Sequence, residues 1–255
     1  MRIHASALLL GAGLFAATST LAPAQSRGTD GWDDGRPVAQ RPSGVYAGAA
    51  FAYGRPQGEF GEYVDHGFGG DLHLIYQPGA RGILGLRFDL GILNYGNERM
   101  RVPLSSTIGG RILVDVNTSN NIAHLGIGPQ IGVPDGRFRP YVGGFVGMTY
   151  LYTESSVRGS SGDESFARTT NYDDATFSYG GRAGVYVPLR GGPSPISVDL
   201  GLVYRNNGEA AYLREGDIID NGDDTISFTP TRSDTDILSL QLGVSVGIPR
   251  SVRSR

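Results

Sequence analysis

Apolar and polar residues alternate with a period of two along most of this chain. Leu84, Leu86, Phe88, Leu90 and Ile92 are separated by Gly85, Arg87, Asp89 and Gly91. Leu238, Leu240, Leu242, Val244, Val246 and Ile248 alternate with Ser239, Gln241, Gly243, Ser245 and Gly247. Period two is the spacing of a β-strand with one apolar and one polar face. Eight such stretches are expected, over 44–54, 67–77, 82–97, 120–132, 138–152, 175–188, 195–206 and 236–248. In 44–54 and 138–152 both faces are apolar or glycine, and the phase is open.

The connections alternate in length. Pro78-Gly79, Pro134-Asp135-Gly136 and Gly191-Gly192-Pro193 mark tight turns. Residues 55–66, 98–119, 154–174 and 207–235 are longer. Short turns at one end and long loops at the other characterise a transmembrane β-barrel. Within 98–119, Met100, Val102 and Leu104 alternate, as do Ile112, Val114 and Val116, so that hairpin is expected to continue past the membrane. Tyr212-Leu213 and Ile226-Ser227-Phe228 point to a similar extension of the last two strands.

The polar phase decides which face meets lipid. It is mostly glycine and serine, with charges of both signs. A water-facing surface would be far richer in charge. Forty glycines in 255 residues fit a crowded interior. The apolar phase is therefore read as lipid-facing. Asp71, His73, Arg87, Asp89, His124, Arg182, Asp199, Arg205 and Gln241 fall on the inward phase. They are expected to form one interior polar network, with its charges paired because an unpaired buried charge is costly. Tyr46, Tyr76, Tyr141 and Tyr186 near the short-turn end are read as one aromatic girdle. Tyr53, Tyr95, Tyr150, Tyr152, Tyr179 and Tyr204 are read as the other.

Four segments are expected. Residues 1–24 read as a signal peptide, with Arg2 before the apolar run from Ala5 to Ala17 and an Ala22-Pro23-Ala24 cleavage pattern. Residues 25–43 read as a flexible periplasmic tail, 44–248 as the barrel and 249–255 as a basic C-terminal tail. The net charge of −3 argues against a nucleic-acid partner, and the absence of cysteine excludes disulfides and thiolate metal sites.

Strand count, loop alternation and the run Arg139-Pro140-Tyr141-Val142-Gly143-Gly144-Phe145-Val146-Gly147 resemble the small eight-stranded outer-membrane barrels, the group of the OmpA transmembrane domain, OmpX and OmpW. The resemblance implies an all-β, eight-stranded antiparallel up-and-down transmembrane barrel in the cell outer membrane. Its partners would be outer-membrane lipid and the barrel-assembly machinery, with the chain a monomer. Many relatives end in an aromatic residue that this machinery reads, whereas here the last strand ends at Ile248 before Pro249.

For function, the sequence supports a non-enzymatic structural or surface-interaction role, with no cofactor, metal or catalytic residue expected. A narrow channel for small solutes, a lipid A-modifying enzyme and a soluble lipocalin-like barrel with inverted faces are the rivals. His66 is the general-base candidate for the enzyme, with Ser106, Ser156 or Ser178 as nucleophile, although no Gly-x-Ser-x-Gly is present. The long loops are acidic: five carboxylates against two arginines in 154–174, and eight against two in 207–236. Asp220-Asn221-Gly222-Asp223-Asp224 could hold calcium, but lacks EF-hand spacing and reads more simply as a solvated surface.

Overall fold

The computed structural model describes residues 44–78, 82–103, 113–159, 165–214, 216–221 and 225–249. The signal-peptide and periplasmic-tail assignments, Ser106, Asp223-Asp224 and Arg250–Arg255 lie outside the described residues.

β1 (Val45–Pro56) leads through a one-turn helix α1 (Phe60–Tyr63) to β2 (Gly67–Tyr76). β3 (Leu84–Pro103), β4 (Leu113–Gly132), β5 (Arg139–Gly159), β6 (Ser165–Arg190) and β7 (Ile196–Asn207) follow. The connection after β7 carries four short strands: β8 (Glu209–Tyr212), β9 (Ile218–Asn221), β10 (Thr225–Phe228) and β11 (Thr231–Asp234). β12 (Ile237–Ile248) completes the chain order. Eight strands close into an antiparallel barrel in the order β1-β12-β7-β6-β5-β4-β3-β2. Closure runs from Val45 opposite Ile248 to Pro56 opposite Ile237.

The barrel is apolar outside and polar inside. Leu90 and Leu242 are 51% and 55% exposed, whereas Arg87 is 1% exposed. In water this would leave a continuous apolar belt unburied. In a bilayer it places the belt against lipid and satisfies every strand edge by closure. The inverted, soluble-barrel reading is thereby overturned, and the architecture is that of an outer-membrane protein. The two open phases resolve by the same rule. Ala49 and Phe51 of β1 face out, as do Val142, Val146 and Met148 of β5. Ala52 of β1, with Tyr141, Phe145 and Thr149 of β5, points inward.

Two expectations are corrected. Within the expected loop 154–174, Glu154–Arg158 of β5 instead pair with Ser165–Thr170 of β6. β3–β4 pairing likewise runs out to Pro103 opposite Leu113, past a bulge between Asn94 and Gly96. β4 and β5 pair as far as Val114 opposite Gly159. β3 to β6 thus continue beyond the barrel rim as one four-stranded sheet. The last hairpin extends differently. β8 pairs with β11 and β9 with β10, as two separate ribbons. Asp236 fixes their base, accepting hydrogen bonds from the Tyr204 hydroxyl, Asn206 Nδ2 and the Asn207 amide, each at 2.9 Å.

The inner girdle is also corrected. Tyr76 faces out, but Tyr141 is 4% exposed and stacks on Tyr186 inside the lumen at 4.6 Å. Tyr46 joins them in lining the inner mouth. At the outer end Tyr150, Tyr179 and Tyr204 face out. Tyr95 turns inward, packing edge-on against Phe60 at 5.7 Å.

Candidate functional site in the barrel lumen

All nine residues on the inward phase are buried, none above 8% exposed. Three arginines (Arg87, Arg182, Arg205) and three aspartates (Asp71, Asp89, Asp199) balance formally. Their partners follow from strand register and from where glycine leaves room.

The inner layer is centred on Asp89. Its Oδ1 accepts from Arg87 Nε at 2.8 Å and from Arg182 Nη1 at 2.6 Å, and Oδ2 pairs with Arg182 Nη2 at 2.5 Å. Arg87 Nη1 also donates to Gln130 Oε1 at 3.3 Å and to the Tyr186 hydroxyl at 3.1 Å, and lies 3.7 Å from Asp199 Oδ2. Tyr141 donates its hydroxyl to Asp199 Oδ1 at 2.8 Å. Strands β3, β4, β5, β6 and β7 all contribute, so the layer ties one side of the wall to the other. Below it, at the short-turn mouth, a cavity of about 60 Å³ has room for only a few waters.

The next layer outward holds Phe145 beneath two guanidinium groups, Arg182 at 5.0 Å and Arg205 at 4.6 Å from its ring centre. His124 Nε2 meets Asp71 Oδ1 at 2.7 Å. Asp71 is therefore held by an imidazole and not by Arg87. Asp71 stands opposite Gly91 on β3, and Gly91 stands opposite His124 on β4. The missing side chain lets His124 reach across β3, and a Cβ on Gly91 would sit 2.5 Å from His124 Nε2. His73 is buried with both ring nitrogens unbonded, and Arg205 Nη1 is unbonded as well. Gln241 faces the lumen opposite Ala52 and Gly201.

Further out, Thr149 donates to Asn207 Oδ1 at 2.7 Å, and Thr153 donates to Asn120 Oδ1 at 2.7 Å. The outer mouth is closed by an apolar stopper. Ala52, Leu93, Ile122, Leu151 and Ile237 line it, Phe60 and Val64 enter beside β1, and Ala210 and Tyr212 enter on β8. Phe60 meets Tyr212 edge-on at 4.9 Å. The sequence reading missed this stopper. The lumen-facing parity of Tyr186 and Gln130 was visible in the strand pattern. Nothing local in Glu59-Phe60-Gly61-Glu62 marks Phe60 as a plug.

Among the described residues, the catalytic candidates are not brought together. His66 is exposed outside the barrel, against Tyr53 and Phe68. Ser178 is fully buried in the lumen, and Ser156 bonds the Asn117 carbonyl at 3.5 Å. Among the described residues, no group of three or more His, Cys, Asp or Glu could hold a metal ion.

No protein-family model matches the chain, and no curated protein sequence matches it. Solved structures do. Neisserial surface protein A is 14% identical, with 81% of this chain and 98% of that one aligned at a TM-score of 0.45. The attachment invasion locus protein Ail of Yersinia pestis is 13% identical over 80% and 98%, at 0.43. OprG of Pseudomonas aeruginosa is 15% identical over 81% and 97%, at 0.36. These likenesses are distant, and no residue's role passes from them to this chain.

Proposed function

We propose that this chain is a non-catalytic outer-membrane barrel with a structural or surface-interaction role, and that its lumen does not conduct. One observation carries the reading: the lumen is blocked twice. A cross-wall ion network centred on Asp89 fills the inner half, and a stopper of Phe60 and Tyr212 fills the outer mouth. Eight strands leave an interior that side chains can fill, and here they do. What remains for interaction is the surface, where β3 to β6 rise as a continuous sheet.

Export fits the same role. Cleavage after Ala24 would leave a mature chain starting at Gln25, with the barrel-assembly machinery as folding partner. N-terminal sequencing of the protein from outer-membrane fractions should begin at Gln25. Purified protein in planar bilayers is expected to give no discrete conductance steps. Reproducible steps from a homogeneous folded sample would replace this reading with the channel.

A further inference from the structure

The register of the sheet above the rim aligns four arginines on one face. Arg99 of β3 pairs with Asn117, which pairs with Ser156, which pairs with Arg168. In the next row out, Arg101 pairs with Asp115, and Asp115 with Arg158. Successive outward positions of β5 run Tyr150, Tyr152, Glu154, Ser156 and Arg158. The arginine face therefore continues the lipid-facing surface of the barrel, above its outer aromatic belt. Two arginines on this face are neutralised in place, Arg101 by Asp115 at 3.0 Å and Arg168 by Glu154 at 3.1 Å. Arg99 is exposed and has no carboxylate partner among the described residues. Arg158 Nε is shielded from solvent yet bonds nothing. Asp173, opposite Tyr152, is the remaining acid on this face among the described residues and sits lower, at the aromatic belt. Among the described residues, the two arginine rows thus carry excess positive charge on a chain that is negative overall.

Height selects the ligand. At about 3.4 Å per residue, and with a barrel tilt of about 40°, the rows lie roughly 10–15 Å beyond Tyr152. A phospholipid headgroup is too shallow to reach them, whereas a phosphorylated saccharide headgroup is deep enough. Arginine forks match phosphate oxygens.

We propose that this face of β3 to β6 binds sugar-borne phosphates of the outer-leaflet glycolipid surrounding the barrel, with Arg99 and Arg158 as the principal contacts. The proposal rests on the outer-membrane reading, which fails separately if the protein is absent from outer-membrane fractions.

The test is calorimetric titration of the folded protein, in neutral detergent micelles, with rough lipopolysaccharide bearing a phosphorylated inner core. Arg99→Gln/Arg158→Gln is compared with the parent, and folding is checked by heat-modifiable gel mobility. Each surface arginine near an anionic leaflet contributes roughly fivefold, so the double variant should bind about thirtyfold more weakly. The same glycolipid stripped of phosphate should bind the parent no better than the variant. Equal binding by parent and variant, or undiminished binding of the dephosphorylated glycolipid, would overturn the proposal. So would preference for a soluble sulfated polysaccharide over the glycolipid, which would make the face a reader of polyanions in solution.

Discussion

Asp89 is gripped from two strands, by Arg87 beside it on β3 and by Arg182 from β6. Removing Arg87 alone leaves buried carboxylates underpaired and should cost about 3–5 kcal/mol in reversible unfolding from lipid. Removing Asp89 as well should restore part of that, with a coupling of about 0.5–3 kcal/mol. The same cycle between Arg87 and Asp71 should be nearly additive, because Asp71 is bonded to His124 instead. Coupling of similar size in both cycles would mean that the two layers act as one. Gly91 provides a second residue-scale check. Valine there would push into Asp71 and His124, and overpacking of this kind costs about 1–3 kcal/mol. A neutral Gly91→Val would show that the imidazole is free to swing aside. Facing was legible from the sequence for all nine lumen residues, because parity alone sets it. Pairing was not. It depends on which glycines let a side chain reach over a strand, and that is a property of register between strands.

At the scale of the element, the strand cores were readable where one face meets lipid and the other the lumen. There the environments differ, and selection for each writes a period of two into the sequence. Beyond the rim that contrast fades. Glu154 to Arg158 and Ser165 to Thr170 are paired strands in which Val157 and Phe166 are the only large apolar residues, and so read as loop. Residues 98–119 kept enough of the period, through Met100, Val102, Val114 and Val116, to betray their extension. Of the tyrosines read as the inner girdle, Tyr76 faces out, whereas Tyr46, Tyr141 and Tyr186 line the inner mouth. Tyr186 lies on the same parity as Arg182, so its phase points inward although its place beside the turn resembles that of a girdle residue. The lipid-facing phase has a direct test. Leu90→Arg and Leu242→Arg each place a cation near the middle of a lipid-facing strand. Each should cost about 2–4 kcal/mol in the same unfolding measurement if near the midplane. Neutral values at both positions would remove the basis for placing the belt in lipid.

For the whole molecule, the two closures are built from opposite materials. The inner one is ionic and shared among five strands. The outer one is apolar and delivered by connections, Phe60 between β1 and β2 and Tyr212 after β7. Connections at the rim make fewer ladder bonds than the wall, so the stopper should open at lower free energy than the ion layer. The closures stand in series, which fixes what their loss should do. Phe60→Ala/Tyr212→Ala should leave the barrel silent in planar bilayers, since the Asp89 layer still spans the lumen. A charge-balanced Arg87→Gly/Asp89→Gly pair should also be silent, since the stopper remains. All four substitutions together, in protein that still shows heat-modifiable mobility, should give discrete conductance steps. Conduction by either pair alone would mean that only one closure holds. Silence of the fourfold variant would move the effective block to the middle of the lumen, where Phe145 lies beneath Arg182 and Arg205 and Thr149 bonds Asn207.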